Sequence, residues 1–313
     1  MIQTTIQDID RQTWQALAES ARTSTWFQTP EAYDFYAAQP ELFAPFVVAI
    51  PQRAYCVGYV TQEKRLWKQW LTRRAIIIGG PLLADDCTQE EVITLLQTLR
   101  QTLNGRCIYL ETRNFNDYSP WKDAFRHCGF TYQPHLNFHV DTSSSEVVET
   151  NLGKSRKRDI KTSFRDGATV VDSPSLEQVR EYYTILQNLY TSKVKTPLFP
   201  LSFFEQLWKN KDGRFILVML NGEVIGGTVC VAQPNRCLFE WFVAGRDGEW
   251  KSIFPSSVAT YSGICYAAEH GMPRFDMMGA GAPGDGGYGV RDFKAKFGGD
   301  LVEYKGNTVK IEE

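Results

Sequence analysis

The sequence has little excess charge of either sign and no long apolar run. Its formal net charge at pH 7 is only −2, so any contact with nucleic acid has to come from a local basic patch. No segment approaches the roughly 20 apolar residues that a membrane-spanning helix requires. The N-terminus, MIQTTIQDID, is polar and acidic and does not resemble a signal peptide. We therefore expect a cytoplasmic protein without a transmembrane segment, for which peripheral contact with a membrane stays open.

Several chemical signatures are also missing. The seven cysteines are an odd number and form no Cys-x-x-Cys pair, which is typical of a protein from a reducing compartment. His135 and His139 are four positions apart, a metal-ligand spacing on a helix, but Pro134 and the alternating pattern predict a strand there. The full phosphate-binding-loop pattern Gly-x-x-x-x-Gly-Lys-Ser/Thr does not occur, because Val148 precedes Gly153-Lys154-Ser155 where the first glycine would stand. We therefore predict no metal site and no bound cofactor.

The most informative stretch of the chain is 274–304. It begins with a short apolar segment interrupted by Asp276, continues through six glycines within 279–289, and ends in a helix-like segment with Phe293 and Lys294. Glycines let the backbone approach a ligand, and the start of a helix offers unpaired N–H groups to an anion. An acid, a loop and a cation so close together predict a catalytic or binding site. The alternative is a glycine-rich surface loop, with Asp276 capping a turn and Lys294 exposed on a short helix.

A second unusual segment, 154–165, concentrates basic residues. Its sequence, KSRKRDIKTSFR, contains six lysines and arginines and one acidic residue, and it predicts a helix capped by Gly167. Such a charge run is either a solvated helix face or a surface for phosphates or nucleic acid. From the residues alone both interpretations stay open.

The order of predicted elements is similar in the two halves of the chain. A length of 313 residues favours two domains, and the segments WKDAFRHCGF (121–130) and VRDFKAKFGG (290–299) occupy the same place in each half. We therefore predict an α/β (α+β) fold of two tandem GNAT-like acyltransferase domains, each a mixed, mostly antiparallel sheet flanked by helices. The predicted boundaries are 1–145 and 146–313, with a hinge at 143–145. A return of the last strand to the first domain is left open.

Four segments, SRKRDIKTSFRDGATV, the predicted hairpin with NGEVIGG, GMPRFDMMGAG and GVRDFKAKFGGDLVEYKG, together resemble the Fem family (FemABX) of peptidoglycan-bridge aminoacyltransferases. The likeness covers most of 25–306 and is strongest in the second half. It implies two GNAT-like domains that bind a nucleotide- or lipid-linked muramyl peptide. It also implies a reaction in which an amino acid passes from aminoacyl-tRNA to an amine of that peptide.

The resemblance also implies roles for individual residues. Lys294 matches the family's catalytic lysine, Phe293 its neighbour, and Asp276 the acid before the glycine loop. We expect Lys294 to stabilise the tetrahedral oxyanion, and Asp276 or Glu111 to orient the attacking amine or take its proton. The residues predicted to contact substrate are Lys154, Arg156, Arg158, Glu111, Gly279, Gly281 and Tyr288.

Two departures from related enzymes leave the donor open. The coiled-coil arm that some Fem members insert in the second domain is absent. The pyrophosphate signature of CoA-dependent acetyltransferases is not evident in 246–258. Three functions are therefore considered: an aminoacyl-tRNA-dependent transferase, an acyl-CoA-dependent N-acyltransferase acting on a sugar or peptide amine, and a binding protein that has lost turnover.

Overall fold

The computed structural model describes residues 2–62, 73–284 and 289–310, of which 304–310 are described by their backbone alone. Within them the chain divides into two compact units, Met1–His135 with Glu303–Glu313, and Leu136–Val302. The predicted boundary after residue 145 lies further along the chain than this division. The reason is that residues 139–141 pair with a strand of the second unit, and that Ser144, in the predicted hinge, caps a helix by accepting a hydrogen bond from the backbone N of Val147 (3.2 Å).

The first unit contains four described α-helices and five strands, to which the end of the last strand of the chain is added. The helices are α1 (Arg11–Ser20), α2 (Pro30–Ala37), α3 (Gln89–Leu103) and α4 (Lys122–His127). The strands are β1 (Phe43–Ile50), β2 (Ala54–Thr61), β3 (Arg74–Gly79), β4 (Leu82–Leu83) and β5 (Tyr109–Asn114). Two further strands, β6 (Thr131–Asp141) and β12 (Asp300–Lys310), contribute residues to both units.

The sheet of the first unit has the order β1-β2-β3-β5-β12. All its neighbours are antiparallel except β3 and β5, which run parallel. Its core contains the apolar face of α3 and the stacked rings of Trp14 and Tyr55, whose centroids lie 5.5 Å apart. Helix α3 begins with a capping box in the segment TQEE, because Thr88 and Glu91 each bond the other's backbone N.

The second unit contains six described α-helices and five strands of its own. The helices are α5 (Ser145–Asn151), α6 (Lys154–Arg165), α7 (Leu176–Leu189), α8 (Leu201–Lys209), α9 (Pro255–Glu269) and α10 (Gly289–Ala295). The strands are β7 (Thr169–Val171), β8 (Gly213–Leu220), β9 (Glu223–Gln233), β10 (Cys237–Gly245) and β11 (Arg274–Asp276). A short π-helical turn, Tyr190–Val194, follows α7.

The sheet of the second unit has the order β6-β11-β10-β9-β8-β7. Only β10 and β11 run parallel, and the other neighbours are antiparallel. Helix α9 packs on this sheet, where Gly263 brings the helix so close that an added Cβ would lie 3.0 Å from the ring of Phe275. Two mixed, mostly antiparallel sheets with flanking helices confirm the predicted fold class.

One predicted strand differs from the structure. The sequence predicts a strand over 107–110 followed by a polar turn, whereas β5 continues through the polar residues to Asn114. Thr112 and Asn114 are fully buried, because β5 is an inner strand between β3 and β12 and its polar side chains are enclosed. Glu111 therefore lies inside the strand and not at its end.

Candidate active site

The parallel pair of the second unit ends early. Strands β10 and β11 pair over 237–239 and 274–276, after which β11 ends and β10 has a bulge between Glu240 and Phe242. The chain beyond β11 continues alongside β6, where the backbone N of Met277 donates to a β6 carbonyl at 3.1 Å. The two strands therefore separate at the carboxyl end of β11, the position at which open α/β sheets commonly bind ligands.

Asp276 closes β11 and shapes the loop that follows. It is fully buried, and its Oδ1 accepts hydrogen bonds from the backbone N of Met278 (2.8 Å) and from Nδ2 of Asn137 (2.7 Å). Its Oδ2 lies 3.2 Å from Nε2 of His139. Asn137 also accepts a bond of 2.7 Å from the backbone N of Gly279. Asp276 thus caps a turn and also belongs to a buried polar network.

The loop after β11 has an unusual backbone. Met278 has a φ of 50° and Gly279 one of 107°. Positive φ is uncommon for a residue other than glycine, and such positions cluster at functional sites. Gly281, with a φ of 77°, accepts a hydrogen bond of 2.8 Å from the backbone N of Leu136. The turn aims the carbonyl groups of the loop at the side chain described next.

Lys294 of α10 is buried against this loop, with only 7% of its surface exposed. Its Nζ donates to the carbonyl oxygens of Gly279 (2.7 Å) and Met277. An ammonium group has three N–H donors, and no third acceptor lies among the residues that the structure describes. The structure therefore places the predicted lysine inside the unit with one donor left for a ligand. The alternative of a surface lysine does not apply.

The charge of Lys294 is balanced between opposing effects. Burial lowers the pKa of Lys294, because the ammonium loses its hydration, and the carboxylates of Glu240 and Asp276 act in the opposite direction. Two buried acids near one buried base favour retention of the charged form. Burial is the largest of these effects, so the pKa of Lys294 lies below its ordinary value.

Glu240 is the acid that the sequence analysis missed. It is 3% exposed, and its Oε1 accepts hydrogen bonds from the hydroxyls of Thr260 (2.8 Å) and Thr228 (3.1 Å). Its Oε2 has no partner within the described part of the chain. Burial raises the pKa of Glu240, while Lys294 and the two hydroxyls lower it. The signal was available, since a glutamate inside the apolar strand CLFEWFVAG is costly unless it is paired.

Arg156, predicted to contact substrate phosphates, is directed into the second unit. It is 5% exposed, and its guanidinium lies over the rings of Phe293 (4.6 Å to the centroid) and Phe297 (4.7 Å). It also donates to the carbonyl oxygen of Phe293 (3.3 Å) and to the hydroxyl of Ser257. Burial lowers the pKa of Arg156. In this position Arg156 holds the helix that carries Lys294.

Three of the other predicted residues have surroundings of their own in the structure. Lys154 and Arg158 are exposed on α6, and Arg158 lies 3.5 Å from Asp159. Glu111 belongs to the first unit, where its carboxylate pairs with Arg113 at 2.6 Å. Tyr288 lies outside the described residues. The roles predicted for these residues stay predictions.

Comparison with known proteins adds a domain assignment. Residues 154–295 match the model of the acetyltransferase (GNAT) domain family. The second unit carries a GNAT domain. The matched range includes α6, both carboxylates and Lys294, and it supports the acyltransferase class predicted from the sequence. No curated protein matches the chain in sequence.

Solved structures resemble the whole chain in fold. The crystal structure of FemX is 12% identical, aligns over 98% of this chain and 97% of that chain, and has a TM-score of 0.76. The structure of L-PGS from Bacillus licheniformis is 12% identical, over 97% and 93%, with a TM-score of 0.59. A tandem GNAT protein from the clavulanic acid biosynthesis pathway is 9% identical, over 100% and 99%, with a TM-score of 0.58. At such low identities the likeness shows a shared fold.

The described residues lack two further features. No group of three or more His, Cys, Asp and Glu side chains in that part of the chain is arranged to hold a metal ion. No helix among the same residues has both the length and the apolar character needed to cross a membrane.

Proposed function

We propose that the protein is a Fem-like aminoacyltransferase that moves an amino acid from aminoacyl-tRNA to an amine of a nucleotide- or lipid-linked muramyl peptide. The proposal rests on the buried ammonium of Lys294. Two of its N–H groups donate to carbonyl oxygens of the loop, and the third has no acceptor among the described residues. An oxyanion that forms beside it is stabilised in a site of low dielectric, where such donors are most effective.

The proposed chemistry is an aminolysis. The neutral amine of the acceptor attacks the ester carbonyl of the donor and forms a C–N bond, and the carbonyl oxygen becomes an oxyanion next to Lys294. Collapse of this intermediate breaks the C–O bond to the tRNA ribose, which leaves with a proton, while the new amide nitrogen loses one. A buried carboxylate, Asp276 or Glu240, receives or relays that proton.

A feature of α9 favours a tRNA-linked donor over acyl-CoA. The N-terminus of a helix is a common site for a pyrophosphate, and α9 directly follows β10 in the GNAT domain. Here Asp247 takes that position, with its Oδ1 accepting from the backbone N of Ser256 (3.2 Å) and its Oδ2 from the hydroxyl of the same serine. The carboxylate of Asp247 competes with the pyrophosphate of CoA for the N–H groups at the start of this helix. The similarity to FemX in fold supports the same donor class.

The alternative is an acyl-CoA-dependent N-acyltransferase acting on a sugar or peptide amine. The match to an acetyltransferase domain model is the observation in its favour. Lys294 would then stabilise the oxyanion of a thioester and not of an ester. The two functions differ in their donor, so donor binding separates them.

The test combines ligand binding with turnover. We expect the muramyl pentapeptide linked to uridine diphosphate to raise the melting temperature, since a ligand at 100 times its Kd adds about 2.7 kcal/mol to stability. We also expect amide formation when single charged tRNAs are supplied, about 10²–10³-fold slower with the Lys294→Met variant. A thermal shift with CoA thioesters, and transfer from them, would replace the proposal by the alternative. Binding of the peptide without transfer from either donor would favour a binding protein.

A further inference from the structure

The first unit contains a cavity that the proposed function does not use. Its volume is about 460 Å³, within the range of roughly 300–1,000 Å³ found for small-molecule sites. It lies between helix α4, the start of β6 and Glu303 of β12, all of which belong to the first unit.

The inner wall of the cavity is aromatic. Tyr118, Phe125 and Phe130 are nearly fully buried, with ring centroids 6.2 Å apart for Tyr118 and Phe125 and 5.5 Å apart for Phe125 and Phe130. Tyr132 is 40% exposed and forms the outer part of the wall. The hydroxyl of Tyr118 is engaged with the carbonyl oxygens of Gly79 (3.0 Å) and Pro81 (2.6 Å), so this residue presents ring surface to the cavity.

Charges of both signs surround this aromatic wall. Lys122 and Arg126 lie one turn apart on the same face of α4, and both line the cavity. Arg126 is paired with Asp123, whereas Lys122 has no ion-pair partner among the described residues. Glu303 supplies a carboxylate from a different element, and the hydroxyl of Tyr132 donates to its Oε1. The second carboxylate oxygen of Glu303 has no partner among the side chains that the structure describes, and it can bind a ligand.

We propose that this cavity binds a short zwitterionic peptide of about dipeptide size. Its carboxylate would pair with Lys122, its ammonium with Glu303, and an apolar or aromatic side chain would lie on the rings. A purely anionic ligand such as a nucleotide would meet the carboxylate of Glu303, and a purely cationic one would meet Lys122 and Arg126. An aromatic wall with one free charge of each sign therefore selects a molecule that carries both.

The experiment is calorimetric titration with the dipeptide Ala-Phe and its two capped forms. Acetylation removes the ammonium and amidation removes the carboxylate, and each cap is expected to weaken binding about three- to tenfold, as for the loss of one charge-assisted bond at a partly exposed site. In Lys122→Gln the amide should bind as well as the free acid. In Glu303→Gln the acetylated and free peptides should bind alike. Lys209→Gln and Glu269→Gln, exposed in the second unit, are the matched controls.

Three results would overturn the proposal. These are the absence of saturable binding, equal affinity of the free and capped peptides, and variants at Lys122 and Glu303 that behave as the controls do. The titration needs no donor and no turnover. It is expected to give the same result in Lys294→Met, so it fails or succeeds independently of the proposed transferase activity.

Discussion

Each unit has a pair of parallel strands followed by a short helix, but only the second pair opens. In the first unit β3 and β5 stay paired over six residues each, up to Gly79 and Asn114. In the second, β10 and β11 pair over three residues each and end at Phe239 and Asp276. If the last residue pair of β3 and β5 is aligned with the last residue pair of β10 and β11, Asn114 corresponds to Asp276. In the first unit the parallel strands thus do not separate at this point, and no carboxylate stands at the position of Asp276.

The short helices that follow these strand pairs, α4 and α10, also differ between the closed and the open unit. Aligning WKDAFRHCGF with VRDFKAKFGG places Phe125 at the position of Lys294. The next-to-last residues of the two segments, Gly129 and Gly298, are also aligned and have φ values of 80° and 79°. Phe125 is 1% exposed and packs on aromatic rings. An equivalent position therefore holds either an apolar side chain in a closed sheet or an ammonium in an open one. A buried lysine therefore requires the separation of the parallel strands together with the two acids, Glu240 and Asp276.

The largest effect is expected from placing a lysine in the closed unit. In Phe125→Lys the ammonium is buried without the carboxylates that support Lys294, and we expect a loss of at least about 3 kcal/mol in the free energy of unfolding. Chemical denaturation measures it, with Phe125→Leu as the control that keeps the site apolar. A cost below that of the leucine variant would show that the two positions are interchangeable.

The second largest effect concerns turnover. We expect Lys294→Met to reduce kcat by about 10²–10³-fold, or about 2.7–4 kcal/mol of transition-state stabilisation. The variant also loses stability, because two loop carbonyls lose their donor and two buried acids lose their counter-charge, so turnover is measured on protein shown to be folded. Lys296→Met, exposed in the turn that follows α10, is the matched control. Full turnover of a folded Lys294→Met protein would remove the oxyanion role.

The comparison also shows what the sequence could predict. The glycine loop, Lys294 and the internal similarity of the two halves could be found because each is local in the chain. Glu240 could not be placed at the site without knowing that β10 and β11 separate beside it. The similarity of the halves, moreover, does not say which unit is open, since strand pairing depends on contacts that are distant in sequence.

Helix α6 illustrates a different difficulty. Its residues Arg156, Ile160 and Ser163 are buried, at the spacing of one helix face, while Phe164 is 40% exposed. Only one of the three buried residues is apolar, so the hydrophobic pattern is too weak to identify the inner face. The prediction gave Arg156 and Arg158 the same substrate-binding role, although Arg156 faces inward and Arg158 faces solvent.

This difference provides the third prediction. Arg156→Met loses a charge-assisted hydrogen bond to Ser257 and the contact that holds Phe293, and we expect a cost of about 1.5–3 kcal/mol together with faster hydrogen exchange in α10. Arg158→Met is the control, with a stability change within about 0.5 kcal/mol. Unchanged exchange in α10 of the Arg156 variant would contradict the positioning role.

The smallest effect concerns the pH dependence of turnover. Since burial lowers the pKa of Lys294, and the ammonium is the active form, kcat/KM should fall as pH rises through a value below the ordinary lysine range. The Glu240 carboxylate raises that pKa and Asp276 does so to a lesser degree. Glu240→Gln should therefore move this fall in kcat/KM, the alkaline limb of the pH profile, to lower pH.

Asp276 raises the pKa of Lys294 less than Glu240 does. Asp276→Asn should shift the limb in the same direction but less far, although it also disturbs the loop that Asp276 caps. At neutral pH we expect Glu240→Gln to stay within about tenfold of the wild type if Asp276 takes the proton of the amine, and to lose about 10²–10⁴-fold if Glu240 takes it. A limb that moves to higher pH in Glu240→Gln would mean that the titrating group is the glutamate itself, with Lys294 neutral in the active enzyme.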